Sequence, residues 1–352
     1  METLVTMASK PFPALTHLVI RAEIGYPPHL PDDFLGGYAP RLQLINLRNV
    51  AFPALQTLLL SASHLVELQL HRMPIDGNVI LPVAMATCLA QLPKLKILVL
   101  QYQSAFSPPD PTHPPPVTHT VLLALTDFKF TGTSKYLEDF VAQILCPQID
   151  QIEISYRIRP AFQVAQLTKF FNRSISPFKH AKVCFDARGI TLDLYRPTNC
   201  TAWDSHHPAT TIISCKPIAN AWYLFHTLNE LSVLLLTVFD LKFVGRSWET
   251  DSIGDEYNPE WLHFLRQPSA LQALYVPPPL AGKIGRALKS VKEVVVSEAL
   301  PSLDLICLED NASLIEEFIA VRQFSDRPLT VVGTEAEFDQ RLGEKKRIPY
   351  TD

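Results

Sequence analysis

Short stretches with apolar residues at their first, fourth and sixth positions recur along the chain, separated by polar residues. The stretch SHLVELQLHRMP, residues 63–74, carries Leu65, Leu68 and Leu70 in this pattern. Nine motifs with this spacing are assigned to successive repeats, and the other eight begin at Leu15, Leu42, Leu95, Leu125, Ile149, Leu236, Leu271 and Leu303. Because alternate side chains of a β-strand point to the same side, each motif predicts a short strand with one buried face.

The distances between successive motifs indicate how these strands are arranged. The first six motifs begin 27, 23, 30, 30 and 24 residues apart, and the last three begin 35 and 32 residues apart. Repeats of about 20–29 residues with this pattern are typical of leucine-rich repeats, and several here are longer. Since one strand cannot bury its apolar face alone, successive strands stack in parallel. The predicted fold is an α/β leucine-rich-repeat solenoid, a horseshoe with parallel strands on its concave face and helices or loops on its convex face.

Segments between the motifs have helical features. Residues 52–65 include Pro53 close to a plausible helix start. Residues 81–92 have a proline near their beginning and are rich in helix-forming residues. Residues 134–145 have apolar side chains at helical spacing, with Ser134 as the expected N-cap. The motif Leu55-x-x-Leu58-x-Leu60 lies inside the first segment, so a strand is the competing interpretation there.

The predicted organisation is a single leucine-rich-repeat domain over residues 12–333. A proline-rich loop is expected at 107–119, and a polar C-terminal tail at 334–352. Residues 155–235 are irregular and are interpreted as two or three degenerate repeats.

Within the irregular region, residues 181–195 predict two strands joined by a turn. Residues 210–215 predict a further strand, and residues 216–230 predict a helix.

Composition narrows the class of protein. The chain has 47% hydrophobic and 19% charged residues and a formal net charge of −4, so it has no basic excess for nucleic-acid binding. No apolar run approaches the roughly 20 residues of a membrane helix, and the N-terminus does not read as a secretory signal. Six cysteines occur without a C-x-x-C pair, which favours reduced thiols. We therefore expect a cytoplasmic or nuclear protein that binds neither nucleic acid nor membranes.

One cluster of residues could carry metal chemistry. The segment 199–215 contains Cys200, Asp204, His206, His207 and Cys215, which are residue types that bind zinc. Their spacing matches no closed zinc motif, so a polar loop followed by a strand is the favoured interpretation. The alternative, a metal-dependent enzyme, is the less favoured one. No catalytic, cofactor-binding or metal site is predicted.

The remaining candidate is the concave surface, formed by the strand residues that lie between the buried positions. As a set these residues mix both charges with neutral polar groups, which suits a protein or peptide partner better than a polyanion. The predicted partner-binding residues are Arg21, Arg48, Glu67, Gln69, His71, Gln101, Asp127, Lys129, Gln151, Glu153, Asp240, Lys242 and Tyr275.

Longer phrases add a resemblance to a known family. The stretch VLLALTDFKFTGTSKYLEDFVAQILCPQIDQIEI (121–154) resembles a central repeat of the F-box/leucine-rich-repeat proteins of mushroom-forming fungi. Residues 248–276 resemble a late repeat of that family, and residues 299–331 resemble its C-terminal cap. The resemblance covers most of 12–333 and implies the substrate-recognition region of an adaptor of a cullin ubiquitin ligase.

In that family an F-box of about three short helices lies upstream of the repeats and docks onto the Skp1 adaptor. Here the first motif begins at Leu15, and no F-box is expected in the chain. The resemblance therefore implies Skp1 as a partner only if an F-box lies upstream. A leucine-rich-repeat scaffold without a ubiquitin link is the alternative.

Overall fold

The computed structural model describes residues 11–23, 27–73, 80–102, 119–157, 164–186, 189–196, 209–216, 221–245, 258–289, 300–309, 315–324 and 327–347. The chain divides into two compact units, Met1–Ser176 (unit 1) and Pro177–Asp352 (unit 2). In each unit, β-strands alternate with helices.

The sheet of unit 1 contains the first six predicted strands. Its neighbours are all parallel, in the order β1, β2, β3, β4, β6, β8. The strands of the unit are β1 (His17–Arg21), β2 (Leu44–Arg48), β3 (Glu67–Met73), β4 (Ile97–Tyr102), β5 (Thr120–Val121), β6 (Asp127–Gly132), β7 (Ile144–Leu145) and β8 (Gln151–Arg157). The short β5 and β7 form a separate parallel pair.

The register of this sheet places equivalent motif positions side by side. The fourth residues of the six motifs are paired in sequence from Leu18 in β1 to Ile152 in β8. Consecutive strands therefore extend one buried apolar row, as the repeat pattern requires. The prediction of parallel stacked strands is confirmed for this unit.

Within its described residues, unit 1 has four α-helices: α1 (Leu55–Ser61), α2 (Pro82–Ala90), α3 (Ser134–Val141) and, after the last strand, α4 (Ala165–Ser174). The segment around Leu55 is thus a helix and not the competing strand. The N-cap of α3 is Thr133 rather than Ser134, because the Tyr136 N–H donates to Thr133 Oγ1 at 3.4 Å. Helix starts commonly differ from expectation by one residue when neighbouring side chains can both cap.

The strands of unit 1 have two different faces. On one, which we call the helix face, the motif residues pack on the helices: the ring of Phe128 lies 5.8 Å from that of Phe140 in α3. The residues between the motif positions point to the other side, which we call the second face. The helix face is buried, whereas most side chains of the second face are exposed or half-buried, with Asn46 and Val99 as buried exceptions.

The described part of unit 2 contains the strands β9 (His180–Asp186), β10 (Gly189–Tyr195), β11 (Thr211–Lys216), β12 (Asp240–Gly245), β13 (Ala273–Val276), β14 (Leu305–Leu308) and β15 (Thr330–Val332). Their order in the sheet is β11, β10, β9, β12, β13, β14, β15. From β9 through β12 to β15 all neighbours are parallel. The motifs beginning at Leu271 and Leu303 are thereby confirmed as parallel strands. The motif assigned at Leu236 is displaced by two residues: Leu236 is exposed, the buried residues are Val238, Leu241 and Phe243, and Leu241 pairs with Leu274.

The irregular region departs from the repeat in one respect. The two strands predicted within 181–195 are present as β9 and β10, but β10 runs antiparallel to both β9 and β11. Only residues 187–188 separate the two strands, whereas a parallel connection needs a crossover of about a dozen residues or more. The two predicted strands are thus confirmed as an antiparallel pair, while the number of degenerate repeats in 155–235 stays a prediction.

The helices of unit 2 are α5 (Ala221–Ser232), α6 (Asn258–Arg266), α7 (Pro278–Lys289), α8 (Glu316–Phe324) and α9 (Glu335–Arg347). The helix face of this unit is again apolar, and the ring of Phe243 in β12 meets Trp261 and Phe264 of α6, with both pairs of ring centroids 6.0 Å apart.

Helix α9 lies within the segment assigned from the sequence to a polar tail. Its start is fixed by reciprocal capping, because the Glu337 N–H donates to Thr334 Oγ1 at 3.3 Å while the Gly333 N–H donates to Glu337 Oε2 at 3.4 Å. Phe338 and Leu342 of this helix are buried.

Candidate recognition surface

The predicted partner-binding residues fall into two groups. Ten lie in unit 1, where they are exposed or half-buried on the second face of the sheet. The other three, Asp240, Lys242 and Tyr275, lie on the second face of unit 2 and are only 4%, 7% and 4% exposed. The expectation that all of them are exposed is thus wrong for unit 2, although their role in partner binding stays a prediction.

A network of polar side chains crosses three strands on the second face of unit 1. Gln69 in the middle strand accepts from Asn46 Nδ2 at 2.8 Å, lies 2.9 Å from His71 Nε2, and donates to Glu67. His71 Nδ1 lies 2.9 Å from Gln101 Oε1. The imidazole thus sits between two carboxamides, and rotation of one amide lets the neutral ring donate to one and accept from the other. This network holds its side chains in place on a rigid sheet.

The next two strands of the same face carry an ion pair. Lys129 Nζ lies 2.9 Å from Glu153 Oε2, and the two side chains are 50% and 53% exposed. Asp127, one step along the strand, accepts from the Thr126 hydroxyl at 2.6 Å. Because an exposed ion pair contributes only about 0–1 kcal/mol, a partner can replace either member at little cost.

Two arginines lie at the other end of the face. Arg21 and Arg48 are paired in register at the ends of β1 and β2, and both side chains are exposed. The face therefore has a basic end, a neutral amide and imidazole centre, and an ion pair beyond it, with no charge sign dominating.

The second face of unit 2 is organised around buried charges. Asp240 Oδ2 lies 2.6 Å from His180 Nδ1, and both side chains are almost inaccessible. Lys242 Nζ contacts the Glu335 carboxylate and lies 3.6 Å from Asp339 Oδ1. Both of these carboxylates belong to α9, which covers the face. The sequence pattern gave Asp240 and Lys242 but missed their partners, since these lie on other strands and on a helix that reads as polar.

The side chain of Tyr275 is shielded from water on this face. Its hydroxyl donates to Glu309 Oε1 at 3.3 Å and to Glu335 Oε2 at 3.4 Å. Burial, followed by the charges of Glu335 and Glu309, raises the pKa of Tyr275 well above its usual range. Burial also raises the pKa of the neighbouring Cys307 thiol to about 12. Both groups are consequently neutral at physiological pH.

Most of the zinc-like cluster lies outside the described residues, namely Cys200, Asp204, His206 and His207. Its remaining member, Cys215, is buried in β11, where burial raises the pKa of the thiol. Within the described parts of the chain, no group of three or more His, Cys, Asp or Glu side chains is placed to hold a metal ion. The metal hypothesis therefore stays untested for the segment itself.

Two further predictions concern the proline-rich loop and membrane-spanning helices. The proline-rich loop at 107–119 falls outside the described residues except for its last position, His119. None of the helices in the described ranges combines the length and apolar character that crossing a membrane demands.

Comparisons with known proteins add little to this geometry. No protein-family model matches the chain, and no curated protein sequence matches it. One similar solved structure is that of a TLR13–ssRNA13 complex, with 12% sequence identity and a TM-score of 0.32. The match covers 84% of this chain and 36% of that one, so the chain spans about a third of its length. The leucine-rich-repeat-like architecture of each unit rests on its own parallel strands and their register.

Proposed function

We propose that the chain is a non-catalytic recognition protein and that the second face of unit 1 binds a protein or peptide. The observation that carries this proposal is the row of hydrogen-bonded polar side chains from Asn46 to Gln101, flanked by Arg48 on one side and the Lys129–Glu153 pair on the other. These groups stand on paired strands, so they are ordered before a partner arrives and lose little entropy on binding.

The chemistry of the face favours a protein over a polyanion. A surface that binds nucleic acid concentrates Lys and Arg, because neutralising phosphates supplies most of the affinity. Here Glu67, Asp127 and Glu153 are interleaved with the basic residues, and the whole chain has a net charge of −4. Mixed polar and charged groups with some apolar area are ordinary for protein interfaces that form and dissociate.

A finer version of the proposal follows from the family resemblance. In that version, the chain is the substrate-recognition part of an F-box-type adaptor of a cullin ubiquitin ligase. The alternative is a leucine-rich-repeat scaffold with no ubiquitin link. Purified Skp1 addresses the finer version, and we expect no direct binding to this chain because no F-box is predicted in it. Tight one-to-one binding of Skp1 would contradict that expectation.

A pair of charge-reversal variants tests the recognition surface itself. The face variant is Arg48→Glu with Lys129→Glu, and the matched control is Lys94→Glu with Lys169→Glu, two exposed lysines elsewhere in unit 1. Both double variants change the net charge equally. Affinity capture with quantitative mass spectrometry first identifies proteins retained by the wild type and by the control.

The captured candidate is then purified, and its dissociation constant is measured by calorimetry for all three chains. We expect the face variant to bind at least about tenfold more weakly, because charge reversal sets like charges against each other across the interface. The control should agree with the wild type within about twofold. Equal affinities for the face variant and the control would exclude this face as the binding site.

A further inference from the structure

Helix α9 covers the second face of β13, β14 and β15 in unit 2, the side opposite to the helix face. Phe338 and Leu342 of α9 form one buried cluster with strand residues that all belong to the second face, and the ring of Phe338 lies 5.7 Å from that of Tyr275. The strand members of the cluster are Ala273, Tyr275, Leu305, Cys307 and Val332. Helix α6, in contrast, packs on the helix face through Trp261.

The route that takes α9 onto this face is short. Only Gly333 and Thr334 separate the end of β15 from the start of α9. The two capping hydrogen bonds between Thr334, Glu337 and Gly333 start the helix immediately after the strand. A crossover to the helix face is thereby avoided, and the helix reaches the side of the sheet that the repeat helices leave open.

Helix α9 contacts the sheet through a narrow stripe. Glu335, Phe338, Asp339 and Leu342 are spaced i, i+3, i+4 and i+7, so they share one side of the helix. Between them stand exposed residues such as Ala336, Gln340 and Arg341. The stripe has two large apolar side chains and two carboxylates, which is the pattern of an amphipathic helix that binds a groove.

The sheet offers a complementary surface to this stripe. Lys242 stands beside the apolar cluster, where its ammonium contacts Glu335, lies 3.6 Å from Asp339, and lies 5.0 Å from the centre of the Tyr275 ring. A buried ammonium group contributes little to stability but strongly selects for a carboxylate opposite it. The second face of unit 2 is therefore selective for an acidic amphipathic helix.

We propose that this face is a second binding site, specific for an acidic amphipathic helix of a partner protein, and that α9 occupies it in the free chain as an internal competitor. The partner helix would present carboxylates at i and i+4 and large apolar side chains at i+3 and i+7. This site lies on unit 2 and does not depend on the recognition surface proposed for unit 1.

A synthetic peptide of residues 333–347 with a fluorescent label is the probe. It is titrated against the full chain and against the full-length Phe338→Ala/Leu342→Ala variant, which removes the two anchors of α9. The matched control is Gln340→Ala/Arg341→Ala on the exposed side of the same helix. We expect the anchor variant to bind the peptide at least about tenfold more tightly than either the wild type or the control, because its internal competitor is weakened.

The charge requirement is tested by reversal and rescue. Adding Lys242→Glu to the anchor variant should weaken peptide binding at least about tenfold, and a peptide with Glu335→Lys and Asp339→Lys should recover part of that loss. An anchor variant that keeps the wild-type circular dichroism spectrum but binds the peptide no better than the wild type would overturn the proposal.

Hydrogen exchange of the wild-type chain gives a measurement that does not depend on a variant. We expect the amides of α9 to exchange at least about tenfold faster than those of β13 and β14, as in a segment that opens locally. Exchange of α9 together with these strands, including in the case where the anchor variant fails to fold, would show that the helix is a permanent part of the core and would overturn the proposal. Neither result depends on the partner of unit 1.

Discussion

Unit 1 and unit 2 share the same strand motif on their helix faces, yet their second faces have opposite character. In unit 1 this face carries Gln69 and His71, half-buried and bonded to other polar side chains. In unit 2 the positions equivalent to Gln69 are Tyr275 in β13 and Cys307 in β14, both buried beneath α9. The motif thus determines only the helix face. What becomes of the other face depends on the residues between the motif positions and on whether another segment covers them.

The charged pairs on the two second faces also differ in their exposure to solvent. Lys129 and Glu153 of unit 1 are about half exposed, so water screens their attraction. His180 and Asp240 of unit 2 are nearly inaccessible, with 2.6 Å between Nδ1 and Oδ2. Removing one member of a buried pair leaves the other without compensation in a poorly solvated site. The same type of contact should therefore have a far larger effect on stability in unit 2 than in unit 1.

The largest effect is expected from Asp240→Ala in unit 2. We predict that this change lowers the free energy of unfolding by about 3–5 kcal/mol, because the buried His180 loses its acidic neighbour. Asp240→Asn, which keeps an acceptor oxygen, should cost less. Urea denaturation followed by circular dichroism measures both. A loss below about 1 kcal/mol for Asp240→Ala would mean that the pair is no more important than an exposed one.

In one respect the two units are alike, since each uses a buried charged side chain to satisfy backbone groups. Glu138 of unit 1 accepts from the backbone N–H groups of Gln166 at 2.6 Å and Leu167 at 3.0 Å, at the start of α4. Arg322 of unit 2 donates to the carbonyl of Leu300 at 3.0 Å and also contacts the Leu303 carbonyl, in the turn before β14.

Intermediate effects of similar size are expected when these two side chains are replaced. Glu138→Met and Arg322→Met keep most of the apolar stem but remove the polar groups, so buried backbone atoms lose partners at about 1–3 kcal/mol each. Thermal unfolding of the two variants, beside the exposed controls Asp139→Ala and Arg327→Met, measures the loss of stability. If only one of the two variants is destabilised beyond its control, the units differ in their interiors as well as on their second faces.

The sequence reveals the helix faces well because their signal is local. Eight of the nine motifs coincide with strands in the predicted register, and rows such as Leu68 and Leu98 pair side by side. The exception is the motif assigned at Leu236, since the buried positions there begin at Val238. The antiparallel pairing of β9 and β10 is also readable, since a connection of two residues is too short for a parallel pair.

Helix α9, by contrast, reads as a tail. Among its thirteen residues, the large apolar side chains are Phe338 and Leu342, and apart from Val332 their partners lie on β13 and β14, about 30 to 70 residues away. The covering of Lys242 and Tyr275 by α9 is therefore a long-range property, which the spacing of residues along one segment does not encode.

The smallest effect is expected at the Lys129–Glu153 pair of unit 1, and it gives the most sensitive comparison with unit 2. A double-mutant cycle with Lys129→Ala and Glu153→Ala should give a coupling energy of about 0–1 kcal/mol, and high salt should reduce it further. The corresponding cycle with Lys242→Ala and Asp339→Ala should give a larger coupling that salt reduces less, because the ammonium of Lys242 is shielded from water. Equal couplings with equal salt dependence would mean that the Lys242–Asp339 pair is as accessible to solvent as the Lys129–Glu153 pair. The two second faces would then differ in side-chain composition alone.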